Sequence, residues 1–579
     1  MGGLRVTLGQ HSRAGAKGVN QDFHGAMLPG EPLRSRKGIA LALADGIGSS
    51  AVSQEASAAA VRSFLDDYYA TSDAWSVRRS AQRVLAAANA WLHAQTQRSH
   101  ARFDKDRGYV CTFSALIVKG REVHLLHVGD ARIYRLHAQS LEQLTQDHRV
   151  HLSSTESFLG RALGTGPHVE IDYRCLPAEA GALYVLATDG AYTHFSAADV
   201  HDALARFPGD FDQAAQALVD GAQQRGADDD MTVQILRIDA LPEPGPHQLQ
   251  ALREGLALPP PLVPRMRFEG YTIVRPLHAS ARSHVHLAVD DRTGQQVALK
   301  TPSVELGQDD AALDRFLLEE WAARRIHSPH VLRPFASGDR PRRHIHVAME
   351  FVEGQTLRQW MIDHPRPSLD AVRSLIAQVA KGLQAFHGKE MLHQDLRPEN
   401  VMIDRAGTAR IIDFGSTHVA GLAEEMPGAH AASSIAGTLQ YTAPEYFVGR
   451  GGSARSDLFS LAALAYQMLA AQLPYGLQVA RIRSEADLKR LRYVPVHHHR
   501  PDLPQWLDGV LQKALHPDPA RRQEAVTEFI HDLHAPGPQF QGRRSVPLVE
   551  RNPVVFWQGT ALLLFLVVVV LLGLRVLGG

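Results

Sequence analysis

Over residues 1–238 the chain alternates short apolar runs with polar breaks rich in Gly and Asp: ALALADG, FSALIVKG, EVHLLHVGD, RIYRL, ALYVLATDG and TVQILRI. Runs of this length, closed by turn residues, predict strands. Two longer alanine-rich stretches, roughly 53–69 and 76–97, carry apolar residues near helical spacing and predict helices. Together they predict sheets packed between helices. Residues 241–264 then hold PEPGP and PPPLVP around a short LQALREGLAL stretch, the composition of a semi-rigid spacer. A second mixed region runs from 267 to 534, followed by a linker at 535–551. Residues 552–574 carry no charge, and TALLLFLVVVVLLGL is almost wholly apolar. As a helix this segment can cross a hydrocarbon core of about 30 Å. It has no polar face, so a transmembrane helix is expected and not a buried one.

Composition sharpens this outline. A chain of 579 residues is too long for one core and implies two or three domains. Lys+Arg and Asp+Glu are both 61, so no global charge points to nucleic acid as a partner. The HHH at 497–499 has no second ligand cluster nearby in sequence and reads as a solvated loop. Cys111 and Cys175 are the only cysteines, which argues against a disulfide framework and for a reducing compartment. Arg543, Arg544 and Arg551 precede the apolar span and Arg575 alone follows it. By the positive-inside tendency the rest of the chain is expected in the cytoplasm, held at the inner (plasma) membrane by a single-pass C-terminal anchor. No signal-peptide pattern opens the sequence.

Aspartates recur at the ends of the predicted strands of residues 1–238. GVNQD ends at Asp22, ADGIG surrounds Asp45, VGDAR Asp130, ATDG Asp189 and DDDMT Asp229. A carboxylate followed by glycine lets a backbone carbonyl approach the same ion, and hard oxygen ligands suit Mg²⁺ or Mn²⁺. Taken singly, an Asp-Gly pair is also the mark of an ordinary β-turn. The five in this order resemble the metal-dependent serine/threonine protein phosphatases (PPM family) over 1–238. The resemblance implies an α/β/β/α sandwich holding two or three Mg²⁺ or Mn²⁺ ions. It implies Asp45 as the carboxylate bridging two metals, Gly46 as a carbonyl ligand, and Asp189 and Asp229 as further ligands. Asp22 would hold metal-bound water, and Asp130 would sit near a third, weaker site. Lys17 falls where the family has its phosphate-binding Arg and offers a point charge in place of a fork. Gln21 replaces a frequent Glu, and Ser49 the second Gly of DGxGG. No core carboxylate is lost, so activity is expected, with some reduction from these changes.

The region 267–534 carries VALK ending at Lys300, HQDLRPEN from His393 to Asn400, DFG from Asp413 to Gly415, and APE ending at Glu445. In this order they resemble a Hanks-type serine/threonine protein kinase, whose fold is bilobal. The resemblance implies that Lys300 neutralises ATP phosphates and pairs with Glu319, with Glu320 as the other register. Asp395 would accept the proton of the attacking hydroxyl, Arg397 stands for the catalytic-loop Lys, and Asn400 and Asp413 would hold one or two Mg²⁺. Glu350 is a candidate nucleotide-binding residue. Glu445 is expected to pair with Arg522, and Asp457 to organise the catalytic loop. The phosphate-covering loop departs from GxGxxG, with His278, Ser280 and Ser283 at the glycine positions, which hinders close approach of backbone N–H groups to phosphates. Gln394 replaces the arginine that reads an activation-loop phosphate, so order there should not require phosphorylation. Ser433, Ser434 and Thr438 are candidate acceptors.

The whole is expected to be an α+β multidomain protein: phosphatase 1–238, linker 239–266, kinase 267–534, juxtamembrane linker 535–551 and membrane helix 552–574. Its substrates would be proteins phosphorylated on Ser or Thr, with autophosphorylation and self-dephosphorylation possible over the linker. A second reading keeps the phosphatase active and makes the kinase-like domain a nucleotide-binding pseudokinase.

Overall fold

The computed structural model describes residues 3–16, 18–104, 107–137, 140–151, 157–242, 249, 253–280, 282–303, 306, 309–336, 340–424, 440–537, 540 and 557. Lys17, Ser433, Ser434 and Thr438 lie outside them, as does the 552–574 span apart from Trp557. Among the described residues no helix is long and apolar enough to cross a membrane.

Among the described residues the first domain has twelve strands: β1 (Arg5–Arg13), β2 (Phe23–Met27), β3 (Ile39–Ala44), β4 (Phe113–Lys119), β5 (Glu122–Val128), β6 (Arg132–His137), β7 (Ser140–Gln143), β8 (Arg149–His151), β9 (Ser157–Leu159), β10 (Asp172–Pro177), β11 (Leu183–Ala187) and β12 (Met231–Ala240). They form two five-stranded antiparallel sheets, β1-β12-β11-β6-β7 and β10-β5-β4-β3-β2, and a β8-β9 hairpin. Strand β3 shows how the sequence builds the layers. Ile39, Leu41 and Leu43 point between the sheets with Leu116, Leu125 and Leu186. Ala40, Ala42 and Ala44 face the other way, small enough for the helices Ser53–Ala70 and Val77–Arg98 to pack on them. A period of two with large and small residues on opposite faces therefore sets both cores. The helix Phe211–Gln224 covers the outer face of the other sheet through Ala214, Ala215 and Leu218. The layers are helix, sheet, sheet, helix.

The second domain has two lobes. Its smaller lobe is the sheet β13 (Arg267–Phe268), β14 (Tyr271–Ala279), β15 (Ser283–Asp290), β16 (Gln296–Pro302) and β17 (Val347–Glu350), joined in that order, with the helix Asp310–Ala323. The larger lobe is helical. Its centre is the helix Ala454–Ala470, nearly every residue of which is buried, beside Leu369–His387. Short strands β18 (Gly354–Thr356), β19 (Met391–Leu392), β20 (Val401–Asp404), β21 (Ala409–Ile411) and β22 (His418–Val419) line the junction between the lobes.

Where it is described, the proline-rich segment is tied to the second domain. Leu249 is buried in the second domain's core, Ala257 exchanges backbone bonds with Arg343 and Ile345 at 2.8 and 2.9 Å, and Arg253 pairs with Asp310. Leu249 and Leu256 of LQALREGLAL pack on this core.

Candidate functional sites

Loops at one end of the sandwich gather the aspartates. Asp45 follows β3 directly, Asp22 precedes β2, Asp130 follows the Gly129 turn after β5, Asp189 opens the short helix after β11, and Asp229 lies two residues before β12. Gly129 has φ +115, and a Cβ there would lie 2.5 Å from Thr112 Cβ, so this turn requires glycine. Burial and the charges of Asp22, Asp189, Asp130 and Asp229 raise the Asp45 pKa well above the carboxylate range. Burial is also the main cause that pushes Asp22 up to about 7. Asp189 rises for the same reason, with Asp130 and Asp229 adding to it and Arg149 opposing. Carboxylates so placed cannot all stay ionised without a cation among them.

Asp22 shows most directly that the set fits one. Its Oδ2 accepts from Thr188 Oγ1 at 2.8 Å and Thr232 Oγ1 at 2.7 Å, while its buried Oδ1 has no hydrogen-bond partner among the described residues. Arg149, at the start of β8, puts its guanidinium between Asp130 (2.7 Å) and Asp189 (2.8 Å). A positive group thus sits beside Asp130, the residue expected near a third ion. Among the described residues, the trio of possible ligands lying within 4.8 Å of one another is Glu122, His124 and Cys175. Among the described residues the end-loop aspartates do not form such a trio.

Gly46 N donates to Gln21 O at 3.2 Å, and a Cβ on Gly46 would meet Ser53 Cβ at 2.8 Å. Gln21 Nε2 donates to Ser50 O at 2.9 Å, tying the amide to the turn after Asp45. Ser49 is exposed. Sequence reasoning passed over two residues that shape this end. Asp230, nearly fully buried, accepts from Gly15 N (2.8 Å) and Gln21 N (2.7 Å) and folds the loop leading to Asp22. The DDD run carries that signal in its third member as well as in its middle one, Asp229. Arg149 gave no local signal, because it acts across the fold.

The second site is a cleft of about 920 Å³ between the lobes of the second domain, lined by Lys300, Glu319, Asp395, Asn400 and Asp413 among others. Lys300, on β16, lies 2.6 Å from Glu319 Oε2 and 3.5 Å from Asp413 Oδ1. Burial opposes its charge, but the Asp413 and Glu319 carboxylates outweigh burial and raise its pKa. Asp413 moves down despite burial, held by Lys300 and the Gly415 N–H. Glu320 turns away, to Arg324 at 2.6 Å and Arg342 at 2.8 Å. Asn400 Nδ2 donates to Asp395 O at 2.8 Å and to its Oδ2 at 3.2 Å. Arg397 lies 3.6 Å from Glu399 on the cleft wall. Glu350 lines the cleft at the end of β17, with its carboxylate 3.1 Å from Arg410.

Two supports hold the floor. Asp457 Oδ2 accepts from His393 N (2.9 Å) and His387 Nε2 (2.9 Å), and its Oδ1 accepts from Gln394 N (3.0 Å). These bonds fix Gln394 at φ +65, a conformation that costs a residue with a side chain about 1–3 kcal/mol. Gln394 Nε2 donates to Tyr446 OH at 3.2 Å. Glu445 and Arg522 form a two-pronged pair at 2.8 and 2.7 Å.

The cleft's cover is the hairpin between β14 and β15, with His278 near its tip. Ser280 Oγ accepts from Ser283 N (3.1 Å) and Arg282 N (3.3 Å), and Ser280 N donates to Ser283 O (2.9 Å). The hydroxyl thus takes up amides that a glycine loop would leave free.

Residues 10–232 match the family profile described as Protein phosphatase 2C, and residues 271–533 the one described as Protein kinase domain. The chain is 31% identical over 281 residues to the serine/threonine-protein kinase pkn2 of Myxococcus xanthus, covering 46% of this chain and 32% of that protein. It is 28% identical over 259 residues to a probable serine/threonine-protein kinase PknB of Bifidobacterium longum, covering 43% and 37%. The chain thus spans about a third of the length of these relatives. Among solved structures it is similar to the Mycobacterium tuberculosis PknI kinase domain, at 29% identity and TM-score 0.38 over 48% of this chain and all of that one. It is also similar to the M. tuberculosis serine/threonine phosphatase PstP/Ppp, at 23% identity and TM-score 0.34 over 41% and 99%. By the two family profiles the chain carries a phosphatase 2C-type domain followed by a Hanks-type serine/threonine kinase domain.

Proposed function

We propose that this protein both adds phosphate to serine and threonine residues of proteins and removes it, from the cytoplasmic face of the membrane that residues 552–574 enter. The observation that carries the reading is the coexistence of two assembled sites. One is the Lys300–Glu319 pair at 2.6 Å facing Asp413, and the other is the aspartate cluster around the Asp22 oxygen that has no partner among the described residues.

In the kinase site Lys300 would neutralise the phosphates of ATP. Asp395, fixed by Asn400, would orient the acceptor hydroxyl and take its proton as the oxygen attacks the γ-phosphorus and ADP leaves. Asn400 and Asp413 would hold Mg²⁺. In the phosphatase site Asp45, the Gly46 carbonyl, Asp189 and Asp229 would hold Mg²⁺ or Mn²⁺, with Asp22 steadying bound water and Asp130 beside the position that Arg149 fills. The ions would supply a water nucleophile for phosphate ester cleavage. Lys17 would meet the substrate phosphate. Ser433, Ser434 and Thr438 are candidate sites of autophosphorylation, erased by the chain's own phosphatase.

One observation favours the second reading, in which the kinase domain binds nucleotide without transferring phosphate: Ser280 occupies backbone amides of the covering hairpin. Incubating the purified chain with γ-labelled ATP and Mg²⁺, as wild type and as Asp45→Asn, separates the two. Protein-bound label that accumulates in Asp45→Asn supports both activities. Nucleotide binding with no transfer in either chain leaves the phosphatase regulated by a pseudokinase.

A further inference from the structure

The two domains meet through a buried, charged contact far from the aspartate cluster. Residues 71–76 form the turn between the helices Ser53–Ala70 and Val77–Arg98, and Lys37 grips it from beneath, donating to Thr71 Oγ1 (2.7 Å) and Ser72 O (2.8 Å). The turn touches three parts of the kinase domain. Just beyond the helix Asp310–Ala323, Arg325 makes a two-pronged pair with Asp73 at 2.9 and 2.7 Å and lies 3.6 Å over the Trp321 ring. In the turn leading into β19, Glu390 Oε2 accepts from both Ser76 N and Ser76 Oγ at 2.8 Å, and Gly388 O accepts from Trp75 Nε1 at 3.1 Å. After β22, Gly421 N donates to Ala74 O at 3.1 Å, and both Glu424 oxygens are taken. Val77 N donates to Oε1 and Lys119 Nζ to Oε2, each at 2.8 Å.

Lys119 is 1% exposed and also donates to Gly421 O at 2.8 Å. An ammonium taken out of water without its carboxylate is costly, so separating the domains is opposed by the loss of Glu424. Gly421 is fitted to the contact as well. A Cβ there would lie 2.5 Å from Asp73 O and 3.0 Å from the Ala74 carbonyl carbon. The contact is remote from phosphatase chemistry. Lys119 stands seven residues along the β4 chain from Thr112, whose hydroxyl accepts from Asp45 N, or about 23 Å at a strand rise near 3.3 Å per residue.

Each contacted part governs the kinase site. The helix Asp310–Ala323 carries Glu319, β19 feeds the loop from His393 to Asn400 and pairs with β22, and residues 420–424 continue the segment that begins at Asp413. Resting on the kinase reading above, we propose that Asp73, Ser76 and Lys119 of the phosphatase domain are positioning residues for phosphoryl transfer. They clamp these parts in the arrangement in which Lys300 meets Glu319. The clamp supplies in cis an ordering tie that Gln394, lacking an arginine's charge, cannot supply by holding a phosphate.

The test uses the full chain in detergent, with ADP release in the presence of myelin basic protein as the kinase readout and Mn²⁺-dependent p-nitrophenyl phosphate hydrolysis as the phosphatase readout. Lys119→Glu, Glu424→Lys and Gly421→Ala should each lower kcat for ADP release by about 5- to 150-fold, the usual span of coupling between sites, while aryl phosphate hydrolysis stays at the wild-type rate. The charge-exchanged double variant should recover part of that loss, as pairwise coupling requires and simple damage does not. Wild-type or higher kcat in all three single variants overturns the inference. A wild-type chain that releases no ADP defeats the kinase reading instead. Hydrogen exchange over residues 310–323 then decides the clamp: faster in Gly421→Ala supports it, and unchanged refutes it.

Discussion

Replacing Glu445 by alanine should destabilise the kinase domain by about 3–5 kcal/mol, the usual cost of removing one partner of a buried ion pair. The side chains of Arg522 and Glu445 are 0% and 2% exposed. Every N–H of Arg522 has an acceptor: Glu445 Oε1 and Oε2 at 2.8 and 2.7 Å, and the carbonyls of Arg455 (2.9 Å), Pro517 (3.1 Å) and His516 (2.7 Å). Alanine at 445 would leave two donors and a full charge unpaired, and Ser456 Oγ would lose its 2.7 Å acceptor. At about 2–4 °C per kcal/mol for a domain of this size class, the kinase transition should fall by about 6–20 °C. Glu445→Gln, which keeps two of the contacts and loses the charge, should fall less. Arg358→Ala is the control. Its partner Glu399 is half-buried and Arg358 itself 66% exposed, so the change should stay within about 1 kcal/mol. Differential scanning calorimetry of the full chain reads all three, with the kinase transition identified by its rise on adding a nonhydrolysable ATP analogue. A Glu445→Ala transition no lower than that of Arg358→Ala would refute the reasoning.

Asp45→Asn and Asp189→Asn should each nearly abolish Mn²⁺-dependent aryl phosphate hydrolysis, because each removes a formal charge from the metal site; full activity in excess chelator would refute the assignment. Arg149→Ala should lower the Mn²⁺ concentration that gives half-maximal hydrolysis, since the guanidinium no longer holds Asp130 and Asp189; an unchanged Mn²⁺ titration would mean that it does not compete. Deleting residues from Asn552 onward should move the protein from the membrane to the soluble fraction with both activities intact, and continued sedimentation with membranes would point to another attachment.

Much of the fold was legible because it is written in local periodicity. The alternation in β3 specifies two packed faces, and the alanine-rich stretches become the helices that lie on the small-residue face. The kinase motifs carry their spacing in the chain, so the choice of Glu319 over Glu320 could be made from helical register. The contributions of Arg149 and Asp230 were not legible, because each depends on a partner distant in sequence. The proline-rich segment reads as a semi-rigid spacer, since composition reports stiffness but not whether Leu249 and Ala257 find a surface. Nor could any motif reveal the contact between domains. Gly421 and Lys119 look ordinary until the fold brings Asp73 and Glu424 beside them.

The central claim, that one chain carries two opposed phosphoryl chemistries at separate sites, is tested most directly by a double dissociation. Wild type, Asp45→Asn and Asp395→Asn full chains are compared for ATP-dependent labelling of an acceptor protein and for release of phosphate from a prelabelled one. Asp395→Asn should bind nucleotide and release phosphate like wild type but transfer none, while Asp45→Asn should transfer label and fail to remove it. Loss of both activities in either variant, or transfer undiminished in Asp395→Asn, would contradict the account.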